Sequence, residues 1–350
     1  MDHVRVLKQA WRLLWRNRAL WVFGIVLALT TASWETSIWR GNNGNRSNNQ
    51  PFPNFQLPPG WPSFRAPNLA EGLTPQVRDT LIAVGIGLAC VVVVLIVVAA
   101  VARYVSETAL IRMVNQNEDT GEQLSVGQGF RLGWSRTAWR LWLIDLLIGL
   151  PTAFAALLLL LVALAPLLLW TTKSTTAGVI GTVAAIGLGF LAMLTIIVAA
   201  VALNLVKVFA RRVCALEGLG VTASVRHGYA MLRRNLKDVG VMWLITAGVH
   251  IGWPIAIIPI VILLIAVGIL LGGGSLLAVR GLTGLALSEA AAWIVAGVAA
   301  GVLFILVLAV PLTFLGGLKE TFLSSTWTLT YRELRALRET SGREAAPTAS

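Results

Sequence analysis

Six apolar stretches, at 19–38, 80–105, 141–170, 178–206, 240–271 and 290–318, meet or approach the length that a bilayer crossing requires. About 20 apolar residues suffice, because each helical residue advances 1.5 Å across a hydrocarbon core of roughly 30 Å. The third and fifth stretches are too long for one straight crossing and short of the roughly 40 residues that two would need. Each therefore reads as a single tilted or kinked span. Pro151 and Pro166 in the third and Pro254 and Pro259 in the fifth supply the bends, since proline removes a backbone donor that neighbouring helices or local 3₁₀ geometry must offset. The expected fold class is an all-α polytopic integral membrane protein with six transmembrane helices.

Lys and Arg divide unevenly between the connections. Of 28, 22 lie before the first span or after the second, fourth and sixth, and only Arg40, Arg46, Arg65, Arg78, Lys173 and Arg280 lie on the other side. The positive-inside bias then sets both termini in the cytoplasm, and the plasma membrane is the expected location. The first span reads as retained rather than as a cleaved signal, because the basic region before it is long and itself patterned as a helix. A charged fraction of 13% and a net charge of +12 do not point to nucleic acid here, because the cations flank apolar spans, where they set orientation and meet anionic headgroups. Cys90 and Cys214 have neither metal-ligand nor disulfide-framework spacing.

A unit recurs in which a basic amphipathic helix precedes two spans. Val4, Leu7, Trp11 and Leu14 make an apolar stripe beside the basic stripe Arg5, Lys8, Arg12 and Arg16. Val225, Tyr229, Leu232 and Leu236 repeat the design beside Arg226, Arg233 and Lys237, and Val126, Phe130, Trp134 and Ala138 do so beside Arg136 and Arg140. Such patterning suits a helix lying in the membrane interface. Residue identities agree: Ser125-Val126-x-x-Gly129-Phe130 returns as Ser224-Val225-x-x-Gly228-Tyr229, and Glu107-Thr108-x-Leu110 as Glu320-Thr321-x-Leu323. Three like-oriented helical hairpins are expected, at 1–117 (with an external Asn/Pro-rich loop at 39–79), 118–220 and 221–337, followed by a mostly disordered tail at 338–350. The third unit ends in an amphipathic helix in which Trp327, Tyr331 and Leu334 line one face and Arg332, Arg335 and Arg338 another.

The segment Arg211-Arg212-Val213-Cys214-Ala215-Leu216-Glu217-Gly218-Leu219-Gly220-Val221, continuing to Leu232-Arg233-Arg234-Asn235, resembles one found in uncharacterised bacterial six-span membrane proteins. These are similar to the membrane domain that accompanies some glycerophosphoryl diester phosphodiesterases. Trp11-Arg12-Leu13-Leu14-Trp15-Arg16-Asn17 and Trp327-x-Leu329-x-Tyr331-Arg332-x-Leu334 carry the likeness toward both ends. The resemblance implies an all-helical membrane module and transfers no catalytic residue.

Ionisable groups inside spans are functional candidates, because charge at mid-bilayer costs several kcal/mol. Asp145, His250 and Asn204 form that short set. A proton relay or substrate site would bring Asp145 and His250 together between hairpins. The favoured expectation is plainer: Asp145 pairs with Arg136 or Arg140 at the interface, His250 bonds a carbonyl exposed by Pro254, and Asn204 bonds across helices. Gly181, Ala185 and Gly189, and Gly297 and Gly301, are spaced for close helix packing, within the chain or in a homo-oligomer. Gly272-Gly273-Gly274 is expected to end the fifth helix. The Phe and Trp residues among the prolines of 41–76 are expected at the outer headgroup layer, and Asn45-Arg46-Ser47 has the glycosylation acceptor pattern.

No Ser-His-Asp, Cys-His or His-Glu-x-x-His arrangement occurs, and three histidines cannot build a usual metal centre. The expectation is a membrane-organising or partner-binding module without enzymatic activity or cofactor, whose basic helices engage the bilayer through anionic headgroups at the inner leaflet. The alternative is a small-solute or proton-coupled transporter with its path between hairpins.

Overall fold

The computed structural model describes residues 1–40, 75–172, 174–283 and 289–344. Among these, nine α-helices, one 3₁₀ segment and no strand are found: α1 His3–Arg16, α2 Ala19–Arg40, α3 Pro75–Thr120, α4 Val126–Gly133, α5 Arg136–Leu164, the 3₁₀ segment Ala165–Thr172, α6 Thr175–Glu217, α7 Val221–Arg234, α8 Leu236–Thr283 and α9 Glu289–Glu344. Within α3, α5, α6, α8 and α9 lie stretches long and apolar enough to cross a membrane; α1 and the start of α2, bent by 101°, make a sixth if taken together. The loop 41–74, with Asn45-Arg46-Ser47 and its aromatics, lies outside the described residues.

Helices run past the expected ends of several spans. α8 has 48 residues and α9 has 56, about 72 and 84 Å at 1.5 Å per residue. Gly272-Gly273-Gly274 does not end α8, which continues to Thr283. Glycine's poor propensity, about 1 kcal/mol per residue below alanine, weakens a helix without by itself ending it. Pro151, Pro254, Pro259 and Pro311 lie inside helices, whereas Pro166 falls in the 3₁₀ segment that follows α5. α9 also reaches Glu344, into the expected tail.

Local signals explain the ends. Ser125 and Gln128 form a reciprocal capping box at the start of α4. α3 is followed by Gly121 at φ 72° and α6 by Gly218 at φ 69°, the left-handed region that glycine enters without a Cβ penalty. Gly218→Ala is expected to cost about 1 kcal/mol, read as lower thermal stability in detergent, whereas Gly127→Ala, in α4 with nothing within 4 Å, should be neutral or slightly stabilising.

Two compact units are present. The first comprises Met1–Gly24, Tyr104–Val249 and Glu320–Ser350. Its fully buried side chains include Leu20, Leu110, Leu141, Phe209, Met242 and Tyr331. α5 and α6 pack along each other, joined by the 3₁₀ turn. Gly181 is buried on that turn, where a Cβ would meet the Pro166 carbonyl; Ala185 is buried too, but the row continues at Ala192, and Gly189 has open space around it.

In the last segment of this unit Trp327, Tyr331 and Leu334 are buried while Arg335 and Arg338 are exposed, and the buried side is wider than those three residues. Residues 325–331 are all buried, and Phe209 meets Trp327 edge-on and Tyr331 at a tilt. Thr328 and Thr330 donate to the carbonyls of Ser324 and Thr326, one turn back. Polar side chains satisfied within their own helix can be enclosed without further partners.

The second unit comprises Ile25–Arg103 and His250–Lys319. Here the packed row on α9 is Ala292, Ala296 and Ala300, one residue before the expected Gly297 and Gly301, both of which are exposed with open space at the Cβ position. A shift of one residue turns the packing face by about 100° around a helix. Close approach falls instead at Gly317, whose Cβ would stand 2.7 Å from the backbone nitrogen of Ile25, and at Gly268, against the ring of Phe304. Arg280 lies 4.0 Å from the Trp293 ring centroid. The most apolar window of α3 has none of its residues buried.

Candidate functional site

The first unit holds a cluster of charged groups that sort into two sets. One set points into the protein. Arg211 of α6 donates to both carboxylate oxygens of Asp145 on α5, its Nε lying 3.1 Å from Oδ1, and through Nη1 to Oε1 of Glu107 on α3 at 2.7 Å. The Tyr104 hydroxyl donates to the second Asp145 oxygen at 3.0 Å. The side chains of Arg211, Glu107 and Asp145 are 10–16% exposed, so this is a largely desolvated network in which each charge is held by its partners.

Its neighbours are also committed internally. Arg112 donates to the carbonyls of Ala215 and Leu132, to Oγ of Ser135 and to Oγ1 of Thr137, tying together the ends of α3, α4, α5 and α6. Arg140 donates to the Gly218 carbonyl at 2.9 Å, and buried Arg212 to those of Val208 and Ser324. Cationic side chains that reach helix-terminal carbonyls satisfy acceptors left over by the helix and meet its negative end. Arg332 of α9 meets Asn115 and Asp119. Glu217 accepts from the hydroxyl of Tyr331 and is bonded to Nδ1 of His227, whose Nε2 lies 2.7 Å from Nη1 of Arg338.

The sequence expectations are met unevenly. Asp145 is ion-paired, but its partner is Arg211 rather than Arg136 or Arg140. Asp145 and His250 fall in different compact units. His250 and Asn204 are both exposed on their helices. Glu107, Tyr104 and Arg211 were not singled out as a site by sequence reasoning, because Arg211 lies 104 positions from Glu107 in the chain. A hint existed in that Glu107 and Arg211 each close a span that is otherwise nearly free of charge.

The other set points outward. Arg5, Lys8, Arg12 and Arg16 of α1, Arg226 and Arg233 of α7, and Lys237 at the start of α8 are all exposed. Large apolar groups share these surfaces: Val4, Trp11 and Trp15 on α1, Val126 and Phe130 on α4 with Trp134 at its end, and Tyr229 on α7 with Leu236 beyond it, each 41–62% exposed. The expected stripes are thus divided between two faces. α1 packs inward through Val6, Ala10, Leu13 and Leu14, α4 through Gly129 and Gly133, and α7 through Ser224, Gly228, Met231 and Leu232.

Glycine explains how α4 and α7 come so close. A Cβ on Gly228 would stand 2.8 Å from the backbone nitrogen of Ala210, and one on Gly133 would strike the Val105 carbonyl. With glycine at these positions the helix backbone rests on its neighbour, and the aromatic residue that follows, Trp134 or Tyr229, is exposed. At α1 the chain turns through a corner instead. The N–H of buried Asn17 caps the Leu13 carbonyl, and the Trp21 indole donates to the Leu14 carbonyl at 2.7 Å.

Among the described residues, no group of three or more His, Cys, Asp or Glu side chains could hold a metal. A family model matches residues 7–329 of the chain, and its description is a family of unknown function, DUF7544. The chain belongs to the DUF7544 family. That match takes in all nine α-helices found among the described residues of this DUF7544 member, α1 and α9 in part. No curated protein and no solved structure matches the chain. No relative supports the expected likeness to the glycerophosphodiesterase membrane domain, and the finding for this DUF7544 protein is a helical chain of a family of unknown function with five or six helices long and apolar enough to cross a membrane.

Proposed function

We propose that this DUF7544 protein is a non-enzymatic membrane-organising module of the plasma membrane. Its three hairpins run through the bilayer with both termini cytoplasmic, and α1, α4 and α7 lie in the inner interface as amphipathic helices gripping anionic lipid. One observation carries the reading: each of these helices exposes aromatic or aliphatic side chains beside Lys or Arg, while its other face is buried on the protein. Trp and Tyr favour the level of the headgroups, and each cation near an anionic surface contributes about 1 kcal/mol, or roughly fivefold in affinity. The internal charges support the same reading. Asp145 accepts from Arg211 and Tyr104, which leaves it committed to structure rather than to a relay.

The test uses the full chain extracted in mild detergent, with its co-purified lipids quantified by mass spectrometry. Anionic lipid should be enriched several-fold over the parent membrane, and washing in high salt should remove most of the enrichment, since screening at 1 M shortens the reach of charge to about 3 Å. Arg226→Glu combined with Arg233→Glu and Lys237→Glu should lower it further. Unchanged lipid composition in that variant would defeat the proposal, as would proton or solute flux in liposomes that disappears with Asp145→Asn.

A further inference from the structure

Two adjoining cavities beside α1, both within the first unit, differ in chemistry. One is a cleft of about 810 Å³ lined by Arg5, Gln9, Arg12 and Arg16 of α1 and by Asn117 and Glu118 from the end of α3, with Trp11 and Trp15 at its side. The other is an apolar groove of about 490 Å³ lined by Leu7, Ile245, Val249 and Phe322, with Lys8 on its wall. Trp11 and Arg12 line both. The Trp11 ring is fixed edge-on between Trp15 and Phe322, with centroids 5.8 and 6.2 Å away.

We infer that these cavities together bind one anionic glycerophospholipid, its phosphate in the arginine cleft and an acyl chain in the neighbouring groove. The inference deepens the proposed function and rests on it in setting α1 at the lipid surface, but it names a stoichiometric site where that reading requires only a charged face. Charge complementarity selects the headgroup. Three guanidinium groups face a single carboxylate, and the Glu118 carboxylate already accepts a bond from the Gln9 amide. Arg16 is held in place by Oδ1 of Asn117 at 3.3 Å and the Gly121 carbonyl at 3.2 Å, so part of the ordering of the cleft precedes binding. Planar guanidinium groups offer the paired donors that phosphate oxygens accept. The groove has no comparable polar partner for anything but hydrocarbon, apart from Lys8 and Arg12, whose long apolar stems can cover a chain while their charged ends reach the phosphate.

Native mass spectrometry of the full chain in detergent, with dioleoyl-phosphatidylglycerol and dioleoyl-phosphatidylcholine added in equal amount, tests the site. The wild type should retain one phosphatidylglycerol at least tenfold in preference to phosphatidylcholine. Arg12→Gln should reduce that retention about tenfold, and Ile245→Trp, which fills the groove without changing charge, should reduce it comparably. A dihexanoyl chain on the same headgroup, a measurement that needs no variant, should also be lost. Graded uptake of many lipids with no tighter first one, or a first lipid indifferent to both Arg12→Gln and chain length, overturns the inference. Failure of the broader reading looks different: salt-sensitive anionic enrichment that persists without a tight first lipid sinks only this site. A tight first lipid without general enrichment sinks only the charged-face reading.

Discussion

Arg211→Met should be among the most damaging single substitutions in the chain, lowering stability by about 3–5 kcal/mol, because it strands two carboxylates in a poorly solvated place. Glu107 and Asp145 are both 10–16% exposed and both take their charge partner from this one guanidinium. The expected result in reversible detergent unfolding is a large drop in the midpoint, or aggregation on extraction. The triple variant Glu107→Gln, Asp145→Asn, Arg211→Met should recover at least half of the loss, since replacing a whole buried ionic set by neutral groups of similar shape is far less harmful than removing one member. A loss below 1 kcal/mol for Arg211→Met would mean that water reaches the carboxylates.

Gly228→Leu should be the second large effect. The first atom of any side chain at this position meets the backbone nitrogen and Cα of Ala210 at 2.8 and 3.0 Å, and backbone cannot swing aside as a side chain can. Overpacking of this kind costs about 1–3 kcal/mol, and here it should also lift α7 from α6, so that Met231 and Leu232 lose cover. Protease protection of the α7 segment would report the displacement, with Gly248→Leu in α8, where nothing lies within 4 Å, as the unaffected control. Equal protection in the two variants would show that α7 does not rest on Ala210.

The sequence-to-structure relation differs sharply between spans and surfaces. Continuous apolar runs are legible because a bilayer-length helix needs little more than composition, and α3, α5, α6, α8 and α9 lie where those runs predict. Phase is harder to read. The stripe Val4, Leu7, Trp11, Leu14 fits helical spacing, yet Leu14 is buried while Val4 and Trp11 are exposed, because α1 carries apolar side chains on two faces, one packed on the protein and one open. A periodic pattern sums them. Likewise, Trp327, Tyr331 and Leu334 read as one face of an amphipathic helix, but Thr328 and Thr330 are buried with them, each donating to a carbonyl one turn back. Hydropathy scores a threonine as polar whether or not its hydroxyl is already satisfied by its own helix. The Asp145 partner was illegible for another reason: Arg136 and Arg140 are near in sequence, and Arg211, 66 positions away, is near in space. At Gly129 and Gly228 the repeat itself was visible, whereas its meaning required coordinates: Gly228 seats on the backbone of α6 and Gly129 against the side chains of Met113 and Phe23.

The hydroxyl of Thr321 on α9 donates to the Leu20 carbonyl on α2, joining positions 301 apart, and Phe322 beside it meets Trp11 of α1. Nucleation from one end alone cannot make that seam. During synthesis α1 and α2 cannot be covered on this side until residues 321 and 322 have been made, so this contact closes late in chain growth.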